Sequence, residues 1–308
     1  MFDIPVAVII FNRPQCTERL LAALRPIQPA KLHIIADAPR HTHPADAELC
    51  AKTRSLLEHG IDWNCQIARD YAPENLGCGR RPATGISRVF NAESMAIILE
   101  DDCLPGADFF SFCRELLLRY EHDSRVMMIS GNRHFSTSID IPSSYSFTRY
   151  TQTWGWATWR RAWQHFDYDM KNWPALRNQP AFTGNFVVDK DQRHWQRHFD
   201  TCHQDQAKHY WDYQWTWSCL SQGGLCAVPA GNLVSNIGFD AQATHTFDPG
   251  NDFFNLPAEP LHFPLHHPDA IASHPQIDRS LMDRVFHPTF RVRARRKIRR
   301  ILGKVLNT

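Results

Sequence analysis

IILEDDCLP, residues 97–105, is an aliphatic run that stops in three consecutive acids, Glu100, Asp101 and Asp102. From Met95 to Glu100 the chain offers no polar position to face water before the acid itself. It therefore predicts a strand covered on both faces, as at the centre of a parallel α/β sheet. The acids pose a chemical question, because carboxylates this close repel and a partly buried cluster is costly unless a cation sits there. Two readings are open. One is a hard divalent cation, since Mg²⁺ and Mn²⁺ prefer oxygen ligands. The other is a solvated loop whose acids face the N-terminus of the next helix.

Working outward, the first hundred residues alternate as an α/β layer protein should. Strands are predicted at 5–11, 31–37, 62–68 and 95–100. Helices are predicted from Pro14, a favoured first-turn residue, to Leu24, from Ala45 to His59 before Gly60, and from Ala107 to Tyr120. Between the third and fourth strands, ENLGCGRRPATGISRVF is irregular at first and helical in its second half. Asn75, Gly77 and Gly79 read there as turn residues first and ligand contacts second.

A chain of 308 residues, 43% hydrophobic, can bury a full core. The run from Val6 to Phe11 is too short to span a bilayer, and no basic leader or cleavage site precedes it. Nine scattered cysteines, with no C-x-x-C pair, suggest reduced thiols in a cytoplasmic protein. The last 18 residues carry eight Arg or Lys and no acid; removing those eight from the net charge of +2 leaves the other 290 residues at −6. A polyanion partner is thus expected for the tail only, and no nucleic acid for the body. Ile298, Ile301, Leu302, Val305 and Leu306 fall at helical spacing, so 291–308 reads as a basic amphipathic helix for an anionic membrane surface. The plainer alternatives are a helix packed on the domain or a frayed, solvated end.

Nine tryptophans lie between Trp154 and Trp217, and at that density they mean a packed subdomain or a surface that stacks on sugar or base rings. Residues 257–275 are rich in His and Pro with little periodicity, a linker or wrapping segment. The chain is expected to divide into a main domain over 1–250, with halves at 1–130 and 131–250. A connecting segment at 251–290 and the tail at 291–308 complete it.

In an open parallel sheet ligands gather at the carboxyl ends of the strands. Asn12 and Arg13 come after the first strand, Asp37 after the second, the loop with Arg80 and Arg81 after the third, and the acids after the fourth. Guanidinium groups suit phosphate oxygens, and Asp37 could accept hydrogen bonds from a ribose or base. Together they describe a nucleotide diphosphate held through a metal. The chain has no G-x-x-x-x-G-K-[ST] and no G-x-G-x-x-G at its first turn, which disfavours a P-loop ATPase or a dinucleotide enzyme. His194 and His198, four residues apart, lack the glutamate of H-E-x-x-H and read as a solvated helix face.

EDDCLPGADFF resembles the D-x-D-type strand end and adjoining helix of GT-A nucleotide-sugar glycosyltransferases. Further along, VAVIIFNRP, WGWATWRRAW, WDYQW and NLVSNIGFDAQATHTF resemble, in the same order, segments of the N-acetylglucosaminyltransferase I type. Bacterial family-2-like transferases are similar too. The resemblance covers roughly residues 5–247 and is thin between motifs. It implies a GT-A, Rossmann-like, mostly parallel sheet with helices on both faces, and Mn²⁺ or Mg²⁺ as cofactor. It assigns nucleotide-sugar binding to the half at 1–130 and acceptor binding to the half at 131–250. Asp102 would be the direct metal ligand, with Glu100 and Asp101 beside the ribose and the metal's water shell. Arg13 would hold phosphate, Asp37 would meet uracil, and Asp212 would be the general base. The sequence departs from the pattern at Tyr213 and Thr244, which replace an Asp and a Ser. Thr244 remains a donor contact, and His245 an extra metal or phosphate contact.

An apolar setting of Trp211, Tyr213, Trp215 and Trp217 would make Asp212 a better base; the alternative is a helix N-cap. The expected activity is transfer of a sugar, from a UDP-linked donor with inversion, to a glycan or lipid-linked acceptor in surface polysaccharide synthesis. That places the protein in the cytoplasm, peripheral at the inner face of the membrane. The alternatives are a sugar-phosphate nucleotidyltransferase, although FNRPQC is not its G-x-G-T-R-like loop, and a non-catalytic, membrane-docked binding protein.

Overall fold

The computed structural model describes residues 1–205, 209–238, 253–290 and 292. The first half runs β1 (Val6–Ile10), α1 (Pro14–Leu24), β2 (Lys31–Ala36), α2 (Ala45–Gly60), β3 (Gln66–Tyr71), α3 (Gly77–Ala92), β4 (Met95–Glu100), β5 (Cys103–Pro105) and α4 (Ala107–Arg119). The second half runs β6 (Val126–Ser130), β7 (Tyr145–Thr148), β8 (Trp156–Trp159), α5 (Arg160–Trp163), α6 (Trp173–Leu176), α7 (Pro180–Thr183), α8 (Asp189–Gln204), α9 (Asp212–Ser221), β9 (Leu225–Pro229), β10 (Val234–Asn236) and α10 (Pro275–Leu281).

Eight strands form one sheet in the order β3-β2-β1-β4-β8-β6-β9-β7, and β10 pairs with β5 in a separate ribbon. The left half is parallel, β4 meets β8 antiparallel, and β6 pairs parallel with β9. The aliphatic run thus becomes β4, the strand at which the sheet changes direction. Its side chains alternate between two cores. Ile97 and Leu99 join Leu20, Leu24, Phe109 and Leu116 under α1 and α4. Ala96 and Ile98 join Ile86, Phe90 and the tryptophans on the other face. Both faces are therefore covered by helices, and a Leu99→Ala cavity in such a core costs about 2–5 kcal/mol.

Three local expectations are corrected. The third strand begins at Gln66 rather than 62, because β3 is the sheet's edge and its Arg69 and Asp70 leave no apolar run to read. The segment after it is helical from Gly77 onward, so Gly77 and Gly79 both lie in α3 and only Asn75 precedes it; Gly77, at the first helical position, has φ +76°, which a side chain resists. WGWATWRRAW supplies a strand, β8, before its short helix α5.

The tryptophans pack a core. Eight of the nine are buried, with Trp156 stacked on Trp211 at 5.7 Å and Trp163 against Trp215 at 5.0 Å. Trp154 alone of the nine is half-buried, 4.8 Å from the His134 ring. The Pro- and His-rich stretch lies along the body through backbone bonds: Leu261 N–H donates to Asp108 at 2.9 Å and His274 N–H to the Phe147 carbonyl at 2.8 Å. All nine cysteines are free thiols. Among the described residues no helix is long and apolar enough to cross a membrane. The basic tail lies outside the described residues, Val292 apart.

Candidate functional site

The acids occupy the carboxyl end of β4. Glu100 pairs in register with Ile9 of β1, and Asp101 N–H continues the ladder to the Ile9 carbonyl at 3.0 Å. The Asp101 carboxylate is buried and accepts the Phe11 N–H at 3.2 Å. Asp102 Oδ2 accepts Arg13 Nη1–H at 2.9 Å, the two side chains being 19% and 12% exposed. The acids do not cap α4, from which β5 separates them; Asp108 is the acid in that helix's first turn. A solvated loop is therefore not what this chain builds.

Burial dominates the electrostatics of the cluster. It pushes the Glu100 carboxyl well above the carboxylate range, helped by the charges of Asp102, Asp101 and Asp212. Asp101 is pushed up to about 7 by burial and by Asp102. Asp102 is raised by burial, with Arg13 pulling the other way. Acids raised in this way hold protons for want of compensating positive charge, and an arriving cation would favour their ionised form.

The β10 end closes on the same spot. Ile237 N–H donates to the Asp102 carbonyl at 2.8 Å, and Gly238 N–H to Asn236 Oδ1 at 2.9 Å. A Cβ on residue 238 would lie 2.1 Å from Asp102 Oδ2 and 2.6 Å from Arg13 Nη1. Only glycine lets the backbone approach this closely.

Asp212 is the first residue of α9, whose cap position is Trp211, and no side chain caps the helix. The N-cap alternative therefore falls. Burial chiefly raises Glu100 and the Cys78 thiol at the start of α3, and the charge of Asp212 adds to both shifts, so Asp212 lies within electrostatic reach of the acids. The wall behind it is aromatic: buried Trp211 rests on Trp156, and Tyr213 stacks on His198 at 5.2 Å.

Other candidates have structural work. Asp37 accepts four hydrogen bonds, from Ala38 and Leu76 N–H on Oδ1 and from Gly77 N–H and Asn75 Nδ2–H on Oδ2, at 2.8–3.2 Å. It therefore fastens the head of α3 to the end of β2, whereas a uracil contact was expected. Arg81 is buried, donates to the Ala36 carbonyl at 3.1 Å and pairs with Asp70 at 2.9 Å, so it ties β2 to β3. Asn12 donates to Asp46 at 2.8 Å, an acid that also holds Arg40 at 2.6 Å. Arg80 is exposed beside Tyr168. Thr244 and His245 lie outside the described residues. His194 is buried rather than solvated, its ring 4.3 Å from His198 and 5.0 Å from His287. Sequence reasoning missed Gly238 and Cys78; the glycine's signal was its place just after a β-rich stretch, N-L-V-S-N-I-G.

A divalent cation fits this donor set, which offers hard carboxylate oxygens in excess of local positive charge. Among the described residues no three His, Cys, Asp or Glu side chains converge on one point. The ion would take one or two carboxylates, Asp102 first, and fill its shell with ligand oxygens and water, as Mg²⁺ usually does.

No protein-family model matches the chain, and neither does any curated protein. Among solved structures it is similar to S. aureus TarS 1–349, at 11% identity and TM-score 0.42, over 76% of this chain and 59% of that one. HddC from Yersinia pseudotuberculosis is similar at 13% identity and TM-score 0.31, over 53% of this chain and 78% of that one. UDP-glucose pyrophosphorylase complexed with UDP-glucose is similar at 8% identity and TM-score 0.32, over 55% and 82%.

Proposed function

We propose that the protein is a divalent-cation-dependent glycosyltransferase that moves a sugar, with inversion, from a UDP-linked donor to a glycan or lipid-linked acceptor. One observation carries the reading: Arg13 is seated on Asp102 beside the buried acids at the end of β4, and the charge of Asp212 reaches Glu100 of the same cluster. A transfer of this kind needs a base on one side of the anomeric carbon and positive charge on the other.

In the proposed reaction the Asp212 carboxylate takes the proton of the acceptor hydroxyl as its oxygen bonds to the anomeric carbon. The bond from that carbon to the diphosphate oxygen breaks on the opposite face, and its electron pair leaves with the diphosphate. Arg13 offers a fixed charge and paired donors to the departing oxygens. A bound Mn²⁺ or Mg²⁺ would neutralise charge building on the leaving group. Trp211, next to the base in the chain, is buried against Trp156, and an apolar neighbour of this kind would favour a proton-accepting carboxylate.

A thermal-shift series of nucleoside diphosphates with and without Mn²⁺ tests the binding half, and slow hydrolysis of a panel of nucleotide sugars tests the donor without needing an acceptor. Stabilisation by UDP only when Mn²⁺ is present supports the reading. Release of pyrophosphate from a nucleoside triphosphate and a sugar phosphate would overturn it in favour of nucleotidyl transfer.

A further inference from the structure

We infer that Arg13 is the resident counterion of Asp102 while no donor is bound, and that it transfers to the donor's diphosphate when a divalent cation takes over the Asp102 carboxylate. The inference rests on the site being a nucleoside-diphosphate site. Its own evidence is geometric. Arg13 Nη1 lies 2.9 Å from Asp102 Oδ2, and both side chains are largely withdrawn from water, at 12% and 19% exposure. The backbone at Gly238 encloses the pair so closely that a single Cβ there would fall 2.1 Å from the same Oδ2 and 2.6 Å from the same Nη1. The close backbone at Gly238 crowds this oxygen against a second cationic partner beside Arg13. Mg²⁺ sits at about 2.0–2.1 Å from such an oxygen, so guanidinium and ion compete for it.

Competition of this kind has a thermodynamic consequence. A cation arriving alone must displace Arg13 and leave a guanidinium beside a dication. A diphosphate arriving alone must draw Arg13 away and face uncompensated acids. Arriving together, the two ligands replace one ion pair with two, and neither cost is incurred. Metal and nucleotide should therefore bind with strong positive coupling, and by linkage the coupling is the same read from either ligand.

The test uses the full-length protein. Free Mn²⁺ is tracked by its electron paramagnetic resonance signal, and UDP binding by titration calorimetry, in the wild type, Arg13→Gln and Arg13→Lys. In the wild type, saturating UDP should tighten Mn²⁺ binding by more than about tenfold, within the usual range of site coupling. Arg13→Gln should bind Mn²⁺ alone about tenfold more tightly than wild type, bind UDP with Mn²⁺ more weakly, and lose most of the coupling. Adding Asp102→Asn to it should erase the gain for Mn²⁺. An Arg13→Gln protein with unchanged or weaker affinity for Mn²⁺ alone overturns the inference and leaves Arg13 a plain phosphate contact or a structural pair. Far-UV melting reports whether that variant folds; if it does not, Arg13→Lys decides, since a looser point charge should raise Mn²⁺ affinity in the same direction and an unchanged affinity overturns the idea. A wild type that binds Mn²⁺ but never UDP would sink the nucleotide-sugar reading separately, while the Mn²⁺-only comparison still judges the counterion.

Discussion

Replacing Asp37 by asparagine separates two roles that its position after β2 leaves open. In the structure the carboxylate is buried and accepts four hydrogen bonds, two on each oxygen. Burial raises its pKa, while the N–H groups of Leu76, Gly77 and Ala38 pull it down. An asparagine keeps one acceptor oxygen and points an NH₂ at two donors that held the other. Hydrogen bonds to a charged acceptor are worth about 1.5–3 kcal/mol each, and a buried donor left unpaired costs about 1–3 kcal/mol. Turning the Asn75 amide oxygen toward the new NH₂ would sacrifice its 2.6 Å bond to the Ala38 carbonyl, so a net loss of about 2–4 kcal/mol is expected. For a domain of this size that corresponds to a melting point lower by about 3–6 °C. Urea unfolding monitored by circular dichroism, together with UDP titration at a temperature where the variant is folded, measures both quantities. The expected result is the stability loss with UDP affinity nearly intact. A variant that melts within about 1 °C of wild type yet binds UDP more than tenfold less tightly would refute the reasoning and restore Asp37 as a ligand contact.

Asp102→Asn should abolish Mn²⁺-dependent stabilisation by UDP in thermal shift while the apo protein stays folded; unchanged metal dependence would make the acids structural. Asp212→Asn should leave donor binding near wild type and lower turnover by roughly 10²–10⁴, the usual share of general-base catalysis, and activity above about a tenth of wild type would point to another base. His194 is held down to about 4 by burial and by the neighbouring charges of His198, His287 and Arg197. A depressed histidine stabilises the fold fully above its free value near 6.5 and loses that contribution as pH falls toward about 4, so His194→Gln should remove up to about 3 kcal/mol of acid lability between those limits, read from urea midpoints across pH. A truncation after Phe290 should still bind UDP but no longer sediment with anionic liposomes, and binding by the intact protein should weaken steeply with salt; indifference of the intact protein to such liposomes at low salt would reject a membrane role for 291–308.

What the sequence discloses depends on whether a residue's partner is near it in the chain. β4 could be bounded to the residue because its apolar run and its acids are contiguous. α1 was bounded equally well by Pro14 and by its apolar stripe. β3 was misplaced because an edge strand with Arg69 and Asp70 carries neither alternation nor a continuous apolar run. The start of α3 was missed because Asp37, some forty residues earlier, satisfies its first N–H groups, and no local pattern records a cap supplied from another strand. The same limit governs the site. The acids are visible because like charges in a row demand an explanation. Asp37, Arg81 and Asn12 have the chemistry of ligand contacts, and only the fold shows that Leu76 and Gly77 N–H, the Ala36 carbonyl and Asp46 already engage them. Gly238 has no side chain to announce it, and its importance comes from what it approaches.

The unbroken ladder from β3 to β7 restricts how the molecule can move. Many enzymes enfold their ligands by swinging two lobes about a flexible seam. Here the border between the parallel half and the rest is itself a set of strand pairs, Met95 with Trp159 through Ile98 with Trp156, flanked by aromatic packing. A clamshell motion along that border would shear backbone hydrogen bonds and tryptophan contacts together. The two halves are bound into a single plate, so large rearrangements that spare the sheet are confined to segments at the plate's rim.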